Sequence, residues 1–360
     1  MLGLATEDVS PREALRRVRS LIASQNGVIA PLPISEEELN PEIQDDLSLR
    51  VTAIEPIGTI RRVPFQFPEE SDCSEFSFFE DGKQRTVQVG YIPTQIGTRQ
   101  VLIPVHFYVV AAVILRRDLR ELKLWTGPIL DSGILVARSL VPDQSILEGF
   151  EESGLRVVDT RGVGGDYYDL RRRALNEAKT RRLLAEDQLI AQWRVSPESS
   201  TAFLVVDGTL MNLRNEASVE RCIGISKSFG SRYFDVSDHS RILNMGQFAR
   251  SWTFRFHSPE DEGDSSRLGA RDRISWYPRL RTRPNTDPEF GLVRVEVSQR
   301  HAERATEYAD RFSRSLLSDR LPTSYPAPRW DNHLYPIAAC ENYLSSVMPS
   351  IETINAAMRG

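Results

Sequence analysis

The fold turns on the stretch Phe76-Ser-Phe-Phe-Glu-Asp-Gly-Lys-Gln-Arg-Thr-Val-Gln-Val-Gly-Tyr-Ile92 and its continuation Val101-Leu-Ile-Pro-Val-His-Phe-Tyr-Val-Val-Ala-Ala-Val-Ile-Leu115. Phe76–Glu80 is short and aromatic, Asp81-Gly82 is a turn signal, and Val87, Val89 and Tyr91 alternate as a half-buried strand does. Val101–Leu115 is a long β-branched run, the pattern of a central strand buried on both faces. Three strands joined by short connections predict an antiparallel meander.

Working outward, residues 129–147 have no clear period, and Gly162-Val-Gly-Gly165 reads as a loop. Asp169–Trp193 has no internal Gly or Pro and is rich in Ala, Leu, Arg and Glu, which predicts a helix. Thr201–Val206 is an apolar strand ending at Asp207-Gly208, and Ile223–Ser226 reads as another short strand. Residues 258–290 are polar and rich in Gly, Pro, Asp and Arg, as in a long loop or insertion. Leu292–Val297 alternates as a strand; His301–Leu317 and Tyr335–Val347 read as helices, with a helical tail after them. Upstream, Ser10, Pro11 and Glu13 form an N-terminal capping pattern for a helix over 10–24. Residues 26–50 read as a loop and an acidic, weakly helical stretch. This order predicts an α/β fold in which a β-β-β meander is followed by a helix and further strands. It divides into an N-terminal helical and extended segment (1–73), a main domain (74–345) with an insertion at 258–290, and a tail (346–360).

The 360 residues carry 45 Lys plus Arg against 50 Asp plus Glu, a net charge of −5, which argues against a generally basic nucleic-acid coat and leaves room for a local basic track. The longest apolar run, Val101–Leu115, has 15 residues and contains Pro104 and His106; a membrane helix needs about 20. Glu7 and Asp8 stand where a signal peptide would be basic and then apolar. Cys73, Cys222 and Cys340 are far apart and odd in number, as expected of a cytoplasmic protein rather than a zinc knuckle or disulfide framework. No Walker A, HExxH or GxSxG pattern occurs.

The chemistry is concentrated in two Asp-Gly pairs at strand ends, Asp81-Gly82 and Asp207-Gly208. Carboxylates held at the ends of neighbouring buried strands share a divalent ion well, and glycine lets a phosphate or metal come close. A third carboxylate from the long helix completes an oxygen-rich site for Mg²⁺ or Mn²⁺, the kind that supports phosphodiester hydrolysis.

Phe203-Leu-Val-Val-Asp-Gly-Thr-Leu210, followed by Cys222-Ile-Gly-Ile-Ser-Lys-Ser228, resembles two consecutive strand motifs of the NurA nuclease family. Phe79-Glu-Asp-Gly-Lys-Gln-Arg85 is similar to that family's first motif, although Lys83 replaces a small residue. Leu292-Val-Arg-Val-Glu-Val297, Tyr325-Pro326 and Asn332-His-Leu-Tyr-Pro-Ile337 resemble its later ones, over roughly residues 75–345 in all. The resemblance implies an RNase H-like fold with a mixed sheet flanked by helices. It also implies a Mn²⁺- or Mg²⁺-dependent deoxyribonuclease, acting as a single-strand endonuclease and 5′→3′ exonuclease. Such a chain would be a homodimer working with a HerA-like hexameric ATPase, in DNA end processing or anti-phage defence. Carried over by position, Asp81 and Asp207 match the catalytic aspartates. The helical glutamate is Glu186, with Glu177 in reserve; they lie nine residues apart, so only one can face a metal. His333 matches the last motif, with Asp331 as the alternative ligand.

Arg85 and Lys227 are expected to hold substrate phosphates. Arg279, Arg281 and Arg283, interleaved with Trp276 and Tyr277, are expected to track single-stranded DNA, guanidinium groups on phosphates and rings on bases. Glu296 is expected to pair with a nearby arginine. The rival reading is a non-catalytic adaptor of a DNA translocase, in which the Asp-Gly pairs are only turns.

Overall fold

The computed structural model describes residues 10–33, 50–65, 74–162, 166–210, 220–227, 233–257, 273–321 and 333–359. Its strands are β1 (Val28–Pro33), β2 (Arg50–Ala53), β3 (Arg61–Arg62), β4 (Phe78–Ile96), β5 (Arg99–Asp118), β6 (Glu121–Val136), β7 (Arg156–Asp159), β8 (Leu204–Asp207), β9 (Cys222–Ser226), β10 (Ala249–Arg250), β11 (Phe254–His257), β12 (Arg273–Trp276) and β13 (Arg294–Ser298). Its helices are α1 (Pro11–Ser24), α2 (Ser145–Glu152), α3 (Tyr167–Arg194), α4 (Val236–Leu243), α5 (Ala305–Asp319), α6 (Tyr335–Val347) and α7 (Ile351–Arg359).

Among the described residues, eleven strands form one mixed sheet in the order β2-β11-β12-β13-β9-β8-β4-β5-β6-β7, with β1 also paired to β4. The meander β4-β5-β6 is antiparallel, whereas β8 runs parallel to both β4 and β9. The fold is therefore α/β, with a large mixed sheet flanked by helices. No helix among the described residues is long and apolar enough to cross a membrane.

Strand parity divides the core. In β5, Val105, Phe107, Val109, Ala111, Val113 and Leu115 face the larger core, which α1, α5, α6 and α7 cover. Tyr108, Val110, Ala112 and Ile114 face the other way, toward α3. Both faces are buried, which is why the run is continuously apolar. Asp166 caps α3 by accepting from the Tyr168 and Asp169 amides. Along that helix Ala174, Ala178 and Ala185 are small and buried, so the backbone comes close to the sheet, and Trp193 closes the far end against Phe78.

Four readings change. Residues 26–50, read as a loop and a weakly helical stretch, carry β1 at Val28–Pro33. Asp81-Gly82 is not a turn: β4 runs unbroken from Phe78 to Ile96, because the ladder to β5 continues through Asp81↔Val113 and Gly82↔Ala112. The stretch without a period contains the end of β6, whose Leu124 and Leu130 are exposed on one face while Trp125 and Ile129 pack toward α3. The polar segment 258–290 is not all loop. Arg273–Trp276 is β12, inside the sheet between β11 and β13, and Trp276 and Tyr277 are buried. Residues of the 1–73 segment add β1 and β2 to the main sheet and α1 to the core, and α7 of the tail packs on α1.

Candidate metal centre

The site forms where β4 loses a neighbour. On one edge β4 pairs with β8 only over Phe78–Glu80, and with β1 only from Val87 onward. Between these ladders lie Asp81 to Thr86. The register Glu80↔Val206 puts Asp81 and Asp207 at the next matching positions. Both have the parity of Phe79 and Val205, so both point to the face covered by α6. Asp207 is the last residue of β8, and ligands of open α/β sheets gather at such carboxyl ends.

Past Asp207 the chain must turn sharply. Gly208 has φ +112°, a conformation L side chains rarely adopt, and its N–H donates to the Ile225 carbonyl at 2.8 Å. Glu296 then fixes the turn: its Oε2 accepts from Thr209 Oγ1 at 2.8 Å and from the Leu210 amide at 2.9 Å. Its Oε1 accepts from Arg294 at 2.7 Å, the arginine pairing expected of it.

Helix α6 brings the third carboxylate. Ile337, Cys340 and Leu344 are its buried stripe, and the Cys340 thiol donates to the Phe79 carbonyl of β4 at 3.5 Å. Glu341 sits beside that stripe, over the strand ends. Carboxylate oxygens of Asp81, Asp207 and Glu341 all lie within 4.8 Å of one another, close enough to hold one cation. Lys227, just past β9, places Nζ 3.0 Å from Asp207 Oδ2 and 3.3 Å from Glu341 Oε1. His333 Nδ1 is 4.0 Å from Glu341 Oε2.

The electrostatics follow from burial. Asp81 is pushed well above the ordinary carboxylate range, first by burial and then by Asp207, with Lys227 opposing. Burial works against the charge of Lys227, but Asp207, Asp81 and Glu341 outweigh it and hold the ammonium above its ordinary value. Asp81 Oδ2 is buried with no hydrogen-bond partner among the described residues. An orphaned acceptor among hard oxygen donors fits Mg²⁺ or Mn²⁺.

Glu186 lies on the opposite face of β4. Gly82, with the parity of Phe78 and Glu80, faces α3, and a Cβ there would stand 1.9 Å from Glu186 Oε1. Glu186 accepts from Arg182 Nη1 at 2.5 Å, and burial, opposed by Arg182, pushes it up to about 7. Glu80, on the same side, is fully buried, and neither of its carboxylate oxygens has a partner among the described residues. Burial raises it well above its ordinary value, with Glu186 and Asp81 adding to the effect. Glu177 is part-buried and pairs with Arg181 at 3.0 Å.

The expected DNA contacts are scattered. Arg279 is buried, and its guanidinium donates to the carbonyls of Pro288, Phe290, Ile242 and Leu243. Arg281 donates to the Leu321 carbonyl. Arg283 is exposed. Arg85 donates to the Met348 and Pro349 carbonyls at 2.9 and 2.6 Å. Asp331 falls outside the described residues.

Sequence reasoning missed Glu341 and Glu80. Glu341 is the sole charged residue of α6, and that isolation in a neutral helix was its signal. Glu80 was hidden beside Asp81 in what read as a turn. No family model matches the chain, and no curated protein matches it.

Proposed function

We propose that this protein is a divalent-metal-dependent nuclease, hydrolysing phosphodiester bonds in DNA on an RNase H-like scaffold of the NurA type. The observation that carries the reading is the convergence of Asp81, Asp207 and Glu341 just past the short parallel ladder of β4 and β8. These three residues would hold the ion. When bound, Mn²⁺ or Mg²⁺ supplies Lewis-acid polarisation of a phosphoryl oxygen and a nucleophilic hydroxide at neutral pH. Lys227 neutralises part of the carboxylate charge and so lets Asp207 and Glu341 stand close together. His333 stands at the rim of the centre, with Nδ1 4.0 Å from Glu341 Oε2. Glu186, expected to be a ligand, lies against Gly82 on the opposite face, outside this group of three, and bears on Asp81 through its charge. A HerA-like ATPase partner, homodimerisation and a role in end processing or phage defence rest on the motif resemblance alone.

The test is Mn²⁺-dependent cleavage of single-stranded DNA by the purified chain and by Asp207→Asn. The expected loss in the variant is roughly a hundredfold or more, because the ion loses a charged ligand. An inactive wild type, or a variant that cuts at the wild-type rate, overturns the proposal. Parallel assays on RNA decide the substrate.

A further inference from the structure

The position of Lys227 has a consequence for how many ions the centre takes. Its backbone leaves the sheet directly after β9, which lies between β8 and β13, so the base of the side chain cannot withdraw. The side chain is only 10% exposed, and its ammonium engages Asp207 Oδ2 at 3.0 Å and Glu341 Oε1 at 3.3 Å. One oxygen on each of these carboxylates is thereby taken by a cation the protein already owns. What remains for an external ion is the orphaned Oδ2 of Asp81 together with the carboxylate edges that the ammonium does not engage, of which Glu341 Oε2 also lies 4.0 Å from His333 Nδ1.

Charge leads to the same count. Three carboxylates and one ammonium leave two formal negative charges, the complement of a single divalent ion. A second divalent ion would make this pocket positive, at high cost in a buried place. On the α3 side, Glu186 is already paired with Arg182. Glu80 stands there without a partner among the described residues, but its parity turns it away from Asp81 and Asp207.

We infer that Lys227 is the built-in second cation of this centre, and that the centre takes one divalent ion beside it rather than two. The inference rests on the metal-centre reading of Asp81, Asp207 and Glu341. Lys227 then does by covalent attachment what a second ion would otherwise do: it screens Asp207 from Glu341 and leaves the single ion to Asp81 and the free carboxylate oxygens.

The experiment is equilibrium binding of Mn²⁺ alone to the full chain, with free Mn²⁺ read by electron paramagnetic resonance. Wild type and Lys227→Arg should bind one ion. Lys227→Met, which keeps the length of the side chain and loses the charge, should bind a second ion or hold the first at least about tenfold more tightly. Lys227→Gln serves as the second neutral variant should the methionine one fail to fold, as judged by circular dichroism. Two ions on the wild type would overturn the inference while leaving the metal centre standing. So would neutral variants that match the wild type in both number and affinity. No bound ion on the wild type would overturn the metal-centre reading itself, and the inference with it.

Discussion

Replacing Arg85 with leucine separates a structural role from a nucleic-acid role. Arg85 lies four residues beyond Asp81 on β4, and its Nη1 donates to the Met348 and Pro349 carbonyls, directly after the last turn of α6. Met348 is the C-cap of α6, at the end where the helix dipole favours a cation, and Pro349 follows it. Between Asp81 and Arg85, Lys83 donates to Ser345 Oγ at 2.7 Å, and Ser345 Oγ donates to the Glu341 carbonyl at 2.7 Å. A strand advances about 6.6 Å in two residues and a helix about 4.5–6 Å in three or four, so Asp81, Lys83 and Arg85 roughly keep step with Glu341, Ser345 and Met348. This ladder sets where Glu341 stands. A hydrogen bond from a charged donor contributes about 1.5–3 kcal/mol. The two bonds of Arg85 share one nitrogen in a half-buried place, so Arg85→Leu should cost about 2–3 kcal/mol in all. With an unfolding entropy of about 2.1 cal/mol/K per residue over 360 residues, the melting temperature should fall by about 3 °C. Urea unfolding and calorimetry measure both. Mn²⁺ affinity should fall as well, because Glu341 loses its register. If Arg85 instead binds a DNA phosphate, the variant keeps its stability and the salt slope of single-strand binding falls by about 0.7. A stability change below about 0.5 kcal/mol refutes the clamp.

The remaining predictions test other parts of the argument. Gly82→Ala should force Glu186 off Arg182, since the new Cβ would overlap its carboxylate; DNA cleavage should fall while the Mn²⁺ affinity of Asp81, Asp207 and Glu341 changes little, and equal cleavage would remove Glu186 from the site. Arg250 is fully buried, with two bonds to Glu55 and one to Asp310, so Arg250→Met should cost about 3–5 kcal/mol in urea unfolding, toward the lower end because Arg61 also holds Glu55. Burial, with Arg171 adding to it, lowers His106 to about 3, and neither ring nitrogen has a hydrogen-bond partner among the described residues. The unfolded chain therefore binds a proton that the folded chain refuses between about pH 6.5 and 3, and stability falls as pH falls through that window. His106→Leu should flatten this dependence in denaturation series from pH 7 to 4; an unchanged profile would show that His106 is not its source.

Much of the architecture was legible because it depends on local patterns. A continuous β-branched run has few places to lie except the middle of a sheet, and Val101–Leu115 lies there. Asp169–Trp193 has the composition of a helix and is one, and Tyr335–Val347 begins and ends where its pattern does. Asp81-Gly82 misled because its local turn propensity is weaker than a ladder paired along all of β4. The arginines after residue 270 misled for a different reason. Arginine next to aromatics looks the same in sequence whether it meets nucleic acid or caps carbonyls inside a fold, and Arg279 does the latter.

By itself, then, the sequence determined the α/β class, the placement of Asp207 at a strand end before a glycine, and the absence of a general basic coat. Those properties follow from periodicity and composition, which act over a few residues. Only the tertiary structure decided which groups meet. The pairing of β4 with β8 brings together aspartates 126 positions apart in the chain. The docking of α6 adds Glu341 from a further 134 residues downstream. Pleat parity turns Gly82 toward α3, and the docking of that helix puts Glu186 against it, on the opposite face from Asp81. A one-residue shift in any of these registers would turn the carboxylates apart, and no local pattern encodes a register between distant segments.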